Sequence, residues 1–201
     1  MYEWRHMTTK ERAELLLARR SRKYPKHSPP HFEYNDTYCF HLCAANFEHQ
    51  NIIGATPQRL EQFSRDLCGL FEEEVDSCLY AWCVLPNHWH LLAKLANFTE
   101  FLQKIGHLHG KSSFLWNQED NLRGRKCWHG CSDRRIRGPR HFNATLNYIL
   151  YNPVKHGYVK AWAQWPFSSI HEYLENFGEE QALVNFDAYP ILNMGETWDK
   201  D

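Results

Sequence analysis

The sequence predicts an α+β fold in which helices pack on one face of an antiparallel sheet. Candidate strands and helices follow one another as strand, helix, hairpin, helix, strand, helix between residues 37 and 152. The candidate strands concentrate or alternate apolar and aromatic residues, whereas the candidate helices repeat them at intervals of three or four. Short strands separated by helices, with one tight hairpin among them, favour an antiparallel sheet.

Four segments are predicted as strands. The first is residues 37–47, which are rich in Tyr, Phe, Cys and Leu. Residues 79–85 and 88–95 are the second and third, and Pro86-Asn87 between them is the turn of a hairpin. The candidate for the fourth lies within residues 124–138, a basic and irregular stretch.

Three helices are predicted beside the sheet. Thr56 and Pro57 supply a capping hydroxyl and a proline at the first helical position, and spaced apolar residues continue this helix to about residue 74. Residues 98–116, capped by Thr99, are the second helix, and residues 141–152 are the third. A further helix within residues 10–23 is expected to end before Pro29-Pro30.

Length and composition indicate one globular domain with extensions. The chain has 201 residues, of which 43% are hydrophobic and 15% aromatic. A run of about 18 apolar residues is absent, which argues against a membrane span. The polar start shows no secretory signal, so the seven cysteines are expected to be reduced thiols in a cytoplasmic protein. We expect an N-terminal extension (1–36), a folded domain (37–175) and an acidic tail (176–201).

The net charge of −1 conceals a gradient along the chain. Residues 123–140 carry seven Lys or Arg and one acid, whereas residues 171–201 carry eight acids and one Lys. This asymmetry indicates a basic working surface, although for each charge run alone a solvated face is the better explanation. One hypothesis is that the acidic tail folds over the basic surface and restrains it.

The predicted third strand holds two histidines on one face. Because side chains alternate across a strand, His88 and His90 point to the same side, while Trp89 and Leu91 turn towards the predicted core. Neutral imidazoles are common metal ligands, and two held side by side can share one cation. Taken alone, one such pair among thirteen histidines is better explained by chance or by solvent exposure.

The third predicted helix carries two tyrosines off its apolar stripe. Tyr148 lies on the less apolar side, with Asn152 one turn later and Lys155 a further turn along if the helix continues past Pro153. Such a face could present a nucleophile, a metal ligand and a charge that binds phosphate. A packed, partly exposed tyrosine is the alternative, and periodicity does not choose between Tyr148 and Tyr151.

Several spaced motifs together resemble a known family. Residues 85–90 (LPNHWH) resemble the His-hydrophobic-His signature of the HUH endonucleases. Residues 147–159 (NYILYNPVKHGYV) resemble the tyrosine helix of the REP-associated tyrosine transposases within that superfamily. Three shorter stretches fit the same family, namely 27–31 (HSPPH), 133–137 (DRRIR) and 165–169 (WPFSS).

The resemblance implies a ferredoxin-like sheet and an HUH-type transposase catalytic domain over residues 37–175. It implies that Tyr148, rather than Tyr151, is the nucleophile and forms a covalent 5′-phosphotyrosine. His88, His90 and Asn152 would hold Mg²⁺ or Mn²⁺. The substrate would be single-stranded DNA beside a hairpin formed by an imperfect palindrome, and the protein would act as a monomer or a homodimer.

Basic residues around this site are candidates for phosphate contacts, which supply salt-dependent affinity. These candidates are Arg123, Arg125, Lys126, Arg134, Arg135, Arg137 and Lys155. Three tryptophans are candidates to stack on unpaired bases, although each is more readily a core residue. They are Trp116, Trp128 and Trp162.

Two other functions compete with this interpretation. A catalytically silent DNA-hairpin-binding protein would bind the same DNA and form no covalent adduct with any metal. A zinc hydrolase of a small substrate would use the histidine pair and would need a further His or carboxylate beside it. Cys127, His129 and Cys131 resemble half of a structural zinc site, but a second pair at zinc spacing is absent from the sequence.

Overall fold

The computed structural model describes residues 7–21, 38–72 and 74–191. The stretch 27–31 and the last ten residues of the acidic tail lie outside the described residues. The described chain falls into two units, one with residues 38–191 and one with the helix α1 (Thr9–Ser21). Among the described residues, no helix is both long enough and apolar enough to cross a membrane.

Helix α1 begins with a reciprocal cap. The hydroxyl of Thr8 accepts a hydrogen bond from the N–H of Glu11 at 3.3 Å, and the carboxylate of Glu11 accepts one from the N–H of Thr8 at 2.6 Å. The bonds from Thr8 lower the pKa of Glu11. The helix begins one residue before the predicted segment and is described as far as Ser21, while residues 22–23 of that segment lie outside the described residues.

Within the described residues the sheet has four strands, and every pairing among them is antiparallel. The strands are β1 (Tyr38–Ala45), β2 (Cys78–Val84), β3 (His88–Leu95) and β4 (Ser132–Arg135). They lie in the order β2-β3-β1-β4. This order, with a helix in each of the β1–β2 and β3–β4 connections, is the ferredoxin-like arrangement that the resemblance implied. The predicted antiparallel sheet with helices packed against it is confirmed.

Two crossover helices cover the first face of the sheet. They are α2 (Pro57–Gly69) and α3 (Phe98–Glu119). Trp89 and Leu91 of β3 are completely buried against them, together with Phe40 and Leu42 of β1. The prediction that this side of β3 faces the core is therefore confirmed.

The second face is also covered by helices, although helices on one face were expected. Here α4 (Pro139–Lys155) packs on the sheet, followed by α5 (Ile170–Phe177) and α6 (Glu179–Ala188). Leu92 of β3 and Ala81 of β2 are buried in this second core with Ile149 of α4. Apolar residues therefore occur on both sides of the central strands, and each side needs a covering layer.

Three predicted helix ends differ from the structure. The hydroxyl of Thr56 caps α2 as predicted, but α2 ends at Gly69 rather than near residue 74, because turns begin at Leu70. Helix α3 is capped by the side chain of Asn97, which accepts from the N–H of Glu100 at 3.1 Å, and not by Thr99. Helix α4 continues through Pro153 to Lys155, so proline does not end it.

Candidate active site

The turn between β2 and β3 fixes the position of His88. The carbonyl of Pro86 accepts a hydrogen bond from the N–H of Gly54 at 2.8 Å. A Cβ at position 54 would lie 2.3 Å from the Cβ of Pro86, so only glycine permits this approach. The turn is thereby held against the loop that follows β1, and β3 presents His88 and His90 buried on one face.

The amide of Asn87 determines which ring nitrogen of His88 carries the hydrogen. Nδ2 of Asn87 donates to the carbonyl of His49 at 3.0 Å, so its Oδ1 faces Nδ1 of His88 at 2.7 Å. Because an amide oxygen only accepts, Nδ1 of His88 must be the donor. In the neutral ring, Nε2 then presents a lone pair.

That lone pair converges with the amide oxygen of Asn152. Oδ1 of Asn152 lies 3.1 Å from Nε2 of His88, and both residues are buried. Two acceptors at this distance repel each other unless a proton or a cation lies between them. Nδ2 of Asn152 is buried and has no hydrogen-bond partner among the described residues. An imidazole nitrogen and an amide oxygen so arranged suit a divalent cation.

His90 is an uncharged, buried ring beside this pair. Burial, reinforced by the nearby His88 and His41, lowers the pKa of His90 well below its usual value. Its Nδ1 lies 3.1 Å from Nε2 of His41 on β1. Its Nε2 is buried without a hydrogen-bond partner in the part of the chain that the structure describes. His90 therefore stays neutral at physiological pH and can offer a lone pair to a cation.

Tyr148 packs against these histidines. Its ring centre lies 5.3 Å from that of His90 and 5.9 Å from that of His41, both close to edge-on. The alternative of a partly exposed tyrosine is wrong, because Tyr148 is 0% exposed. The sheet covers one side of α4 and α6 covers another, so burial extends around most of the helix from Thr145 to Pro153.

Tyr151 has different neighbours. Its ring centre lies 4.9 Å from that of Phe186 on α6, and it packs on the second core. The structure therefore separates the two tyrosines that periodicity left undecided, since Tyr148 contacts the histidines and Tyr151 contacts α6.

Two cationic side chains lie close to Tyr148. Nζ of Lys155 is 4.9 Å from the centre of the Tyr148 ring, because α4 remains helical past Pro153. Arg134 of β4 is the register partner of His41. Desolvation lowers the pKa of Arg134, whereas the nearby Cys43 and Tyr148 raise it, so Arg134 is within electrostatic reach of the phenol.

Among the other predicted phosphate contacts, Arg137 is near enough to Arg134 to lower its pKa, whereas the remaining ones have different surroundings. Arg137 and Arg123 are exposed, the first just after β4 and the second just after α3. Arg125 is engaged within the protein, where it donates to Asp120 at 2.7 Å. Arg135 lies 3.4 Å from the centre of the Tyr38 ring, and Lys126 lies 4.8 Å from that of Phe47.

The three tryptophans and the half zinc site have structural surroundings. All three tryptophans are buried in the two cores, which confirms the preferred interpretation of them as core residues rather than surfaces for base stacking. These are Trp116, Trp128 and Trp162. Cys127 is also buried, with its Sγ 3.3 Å from Oδ1 of Asn117, as expected for a cysteine that packs in the core.

Sequence reasoning missed three residues that the fold brings to the site. His41 and Cys43 alternate along β1 and reach His90, and the His156 ring lies 4.9 Å from that of His88. The signal for the first pair is present, since His41-Leu42-Cys43 has the same spacing as the two histidines of β3. Only the register between β1 and β3 shows that the two pairs meet.

Two curated relatives are similar to this chain. A Haemophilus influenzae protein is 34% identical over an alignment of 106 residues, and the match covers 45% of this chain and 57% of the relative. An Escherichia coli K12 protein is 30% identical over an alignment of 99 residues, and the match covers 45% of this chain and 53% of the relative. Both carry the name REP-associated tyrosine transposase. The chain thus spans just over half the length of the curated relatives that it matches, and no family model matches it.

A solved structure shares the fold. It is that of a REP-associated tyrosine transposase bound to a REP hairpin, and it superposes with a TM-score of 0.55 at 20% identity. The match covers 72% of this chain and 83% of the other. The resemblance to REP-associated tyrosine transposases that the motifs indicated is therefore confirmed by homologues of that name and by the fold.

Proposed function

We propose that this homologue of the REP-associated tyrosine transposases is a metal-dependent endonuclease and transposase of single-stranded DNA, which cuts and rejoins a strand beside a hairpin through Tyr148. One arrangement carries the proposal. The Tyr148 ring lies 5.3 Å from the His90 ring, beside the converging donor atoms of His88 and Asn152. A nucleophile, a metal site and nearby cations are the parts that phosphodiester cleavage requires.

We propose His88, His90 and Asn152 as ligands of Mg²⁺ or Mn²⁺. The supporting features are the convergent lone pairs of His88 and Asn152 and the lowered pKa of His90, which favours its neutral form. When bound, the cation would withdraw charge from a nonbridging phosphate oxygen and favour attack at phosphorus.

The proposed reaction exchanges one phosphoester bond for another. The phenolic oxygen of Tyr148 attacks phosphorus and loses its proton to solvent, while the P–O3′ bond breaks. The O3′ atom keeps the electron pair and takes up a proton from water. The products are a 5′-phosphotyrosine and a free 3′-hydroxyl. Attack of a 3′-hydroxyl on the phosphotyrosine reverses these steps and rejoins DNA without consuming a nucleotide.

Lys155 and Arg134 are proposed to assist the attack. A phenol in water has a pKa near 10 and is almost entirely protonated at neutral pH. Positive charge beside the ring favours the oxyanion, which is the reactive form. Lys155 lies 4.9 Å from the ring centre, and Arg134 interacts electrostatically with the same side chain.

The proposed substrate is a single strand that carries a hairpin. One support is that the solved relative is bound to a REP hairpin. The second is charge, since Arg134 and Lys155 border the tyrosine and Arg137 is exposed directly after β4. Phosphates of the strand would contact these cations.

A denaturing gel tests the function directly. Oligonucleotides with a hairpin and a single-stranded flank, labelled at the 3′ end, are incubated with the protein and Mn²⁺. A 5′-phosphotyrosine joins the protein to the fragment on the 3′ side of the cut, so the 3′ label is expected to migrate with the protein. Tyr148→Phe should lower adduct formation at least about 1000-fold, because the nucleophile is lost.

Tyr151→Phe is the matched control, since it removes the neighbouring hydroxyl, and it should retain the adduct. An adduct that persists in Tyr148→Phe would show that another residue is the nucleophile. Binding of the hairpin without an adduct in either Mg²⁺ or Mn²⁺ would favour the catalytically silent hairpin-binding protein.

A further inference from the structure

A second donor cluster, which contains a cysteine, shares His90 with the proposed active site. His41 and Cys43 lie on the same face of β1, and Cys43 is the direct register partner of His90. The ligand atoms of His41, Cys43 and His90 all lie within 4.8 Å of one another. His41 and His90 are buried, and Cys43 is half-buried.

The chemistry of this cluster differs from that of the His88–Asn152 pair. Two imidazoles and a thiolate form a donor set typical of Zn²⁺, and a tetrahedral ion would keep a fourth position for water. Mg²⁺ prefers oxygen ligands and does not match this set. The thiol of Cys43 loses its proton when it binds the ion.

The tautomers of His90 prevent both sites from being filled together. Nδ1 of His90 is the nitrogen that faces His41. A neutral imidazole has one protonated nitrogen and one lone pair. A cation bound at Nδ1 therefore places the hydrogen on Nε2, and Nε2 then has no lone pair for a second cation. As a neutral imidazole, His90 can serve only one of the two sites at a time.

We propose that His41, Cys43 and His90 bind Zn²⁺, and that this ion excludes Mg²⁺ or Mn²⁺ from His88, His90 and Asn152. Zinc would thus switch off strand cleavage. The exclusion rests on the proposed function, whereas zinc binding stands on the cluster itself.

Cobalt replaces zinc as a spectroscopic probe and needs no DNA. The full chain, kept reduced, is titrated with Co²⁺, and a thiolate-to-cobalt charge-transfer band is expected in the near ultraviolet. Cys43→Ser should lose the band. Cys39→Ser is the matched control, because Cys39 is another half-buried cysteine on the same face of β1, and it should keep the band. His88→Gln should also keep it, since His88 is outside the cluster.

Zinc competition tests the exclusion. Adduct formation in Mn²⁺ is measured while Zn²⁺ is added, and each variant is compared with its own rate before zinc. Zinc should inhibit the wild type and Cys39→Ser alike. Cys43→Ser should need at least about tenfold more zinc for the same inhibition, because a ligand has been removed.

Each outcome decides between the alternatives. Absence of the cobalt band, or a band that survives Cys43→Ser, overturns the zinc site. Equal inhibition of wild type and Cys43→Ser shows that zinc acts at the other site and overturns the exclusion. If the wild type forms no adduct in any metal, the proposed function fails, and the cobalt titration still decides whether the cluster binds a soft cation.

Discussion

Among single residues, Lys155 lies close enough to Tyr148 to predict that its charge assists adduct formation, and that this assistance varies with pH. Its ammonium group lies 4.9 Å from the ring centre of Tyr148. Lys155→Met keeps the length of the side chain and removes its charge, so adduct formation at pH 7 should fall about tenfold, equivalent to about 1.4 kcal/mol. The deficit should shrink as the pH rises towards 10, because ionisation of a phenol then depends less on a neighbouring positive charge.

The control for this prediction is Lys160→Met, which removes an exposed lysine just beyond α4. Its rate should match that of the wild type at every pH. A deficit in Lys155→Met that stays constant from pH 7 to pH 10 would instead indicate that Lys155 contributes to DNA binding or to folding.

The burial of His109 predicts how the stability of the folded protein depends on pH. Its Nε2 accepts a hydrogen bond from Nε1 of Trp89 at 3.1 Å, and its ring stacks on Trp128 at 4.0 Å. Burial lowers the pKa of His109 to about 3. Below about pH 6.5 the unfolded chain takes up a proton at this ring that the folded chain does not, so stability falls as the pH decreases towards 3.

His109→Gln removes this titration and keeps an acceptor for Trp89. Lowering the pH from 6.5 to 4.5 should therefore reduce the free energy of unfolding of the wild type by about 2 kcal/mol more than that of the variant. Urea denaturation at several pH values measures it. His107→Gln, which replaces an exposed imidazole on the same helix, controls for the substitution. A difference that does not vary with pH would contradict the prediction.

At the scale of elements, the last described helix braces the helix that carries the tyrosine. Nδ2 of Asn147 on α4 donates to the carbonyl of Asn185 at 3.0 Å, and Nδ2 of Asn185 donates back to Oδ1 of Asn147 at 3.0 Å. Phe186 packs between Tyr151 and Trp162, with ring centres at 4.9 and 5.6 Å. This part of the predicted acidic tail therefore packs on α4.

Phe186→Ala should lower the free energy of unfolding by about 2 kcal/mol, which is less than for a fully buried ring because Phe186 is half-buried. Leu183→Ala on the same helix is the control, since Leu183 is 51% exposed, and its effect should stay within about 0.5 kcal/mol. Thermal and urea unfolding measure both. If α6 restrained the active site, Phe186→Ala would raise the cleavage rate. If α6 instead stabilises the position of α4, the same substitution should lower that rate.

Local patterns predicted the elements more fully than the contacts between them. Apolar spacing located β3 at its observed bounds, and the hydroxyl of Thr56 caps α2 as expected. The burial of Tyr148 could not be predicted, because helical periodicity describes one buried side and α4 is covered on two. The contact between His41 and His90 could not be predicted either, because it depends on the pairing of two strands about fifty residues apart in sequence.

Over the whole molecule, the net charge is only −1, so DNA binding is expected to depend on where positive charges lie rather than on how many there are. Arg134 lies on the strand beside the tyrosine, whereas Arg65 is exposed on α2, across the sheet. A strand that binds at the tyrosine would release counterions from its phosphates near Arg134 and not near Arg65. Binding should therefore respond differently to the loss of these two charges.

The affinity for a hairpin with a single-stranded flank is measured against salt concentration in Tyr148→Phe protein, so that cleavage does not interfere. Arg134→Gln should reduce the slope of log affinity against log salt by about 0.7, the value for one phosphate contact on a single strand. Arg65→Gln removes the same charge and should leave the slope unchanged. Equal slopes in both variants would mean that DNA is held by diffuse charge and not by a defined path past Tyr148. A loss confined to Arg134→Gln would locate the strand beside the proposed nucleophile, because screening limits an exposed charge to phosphates within about 10 Å.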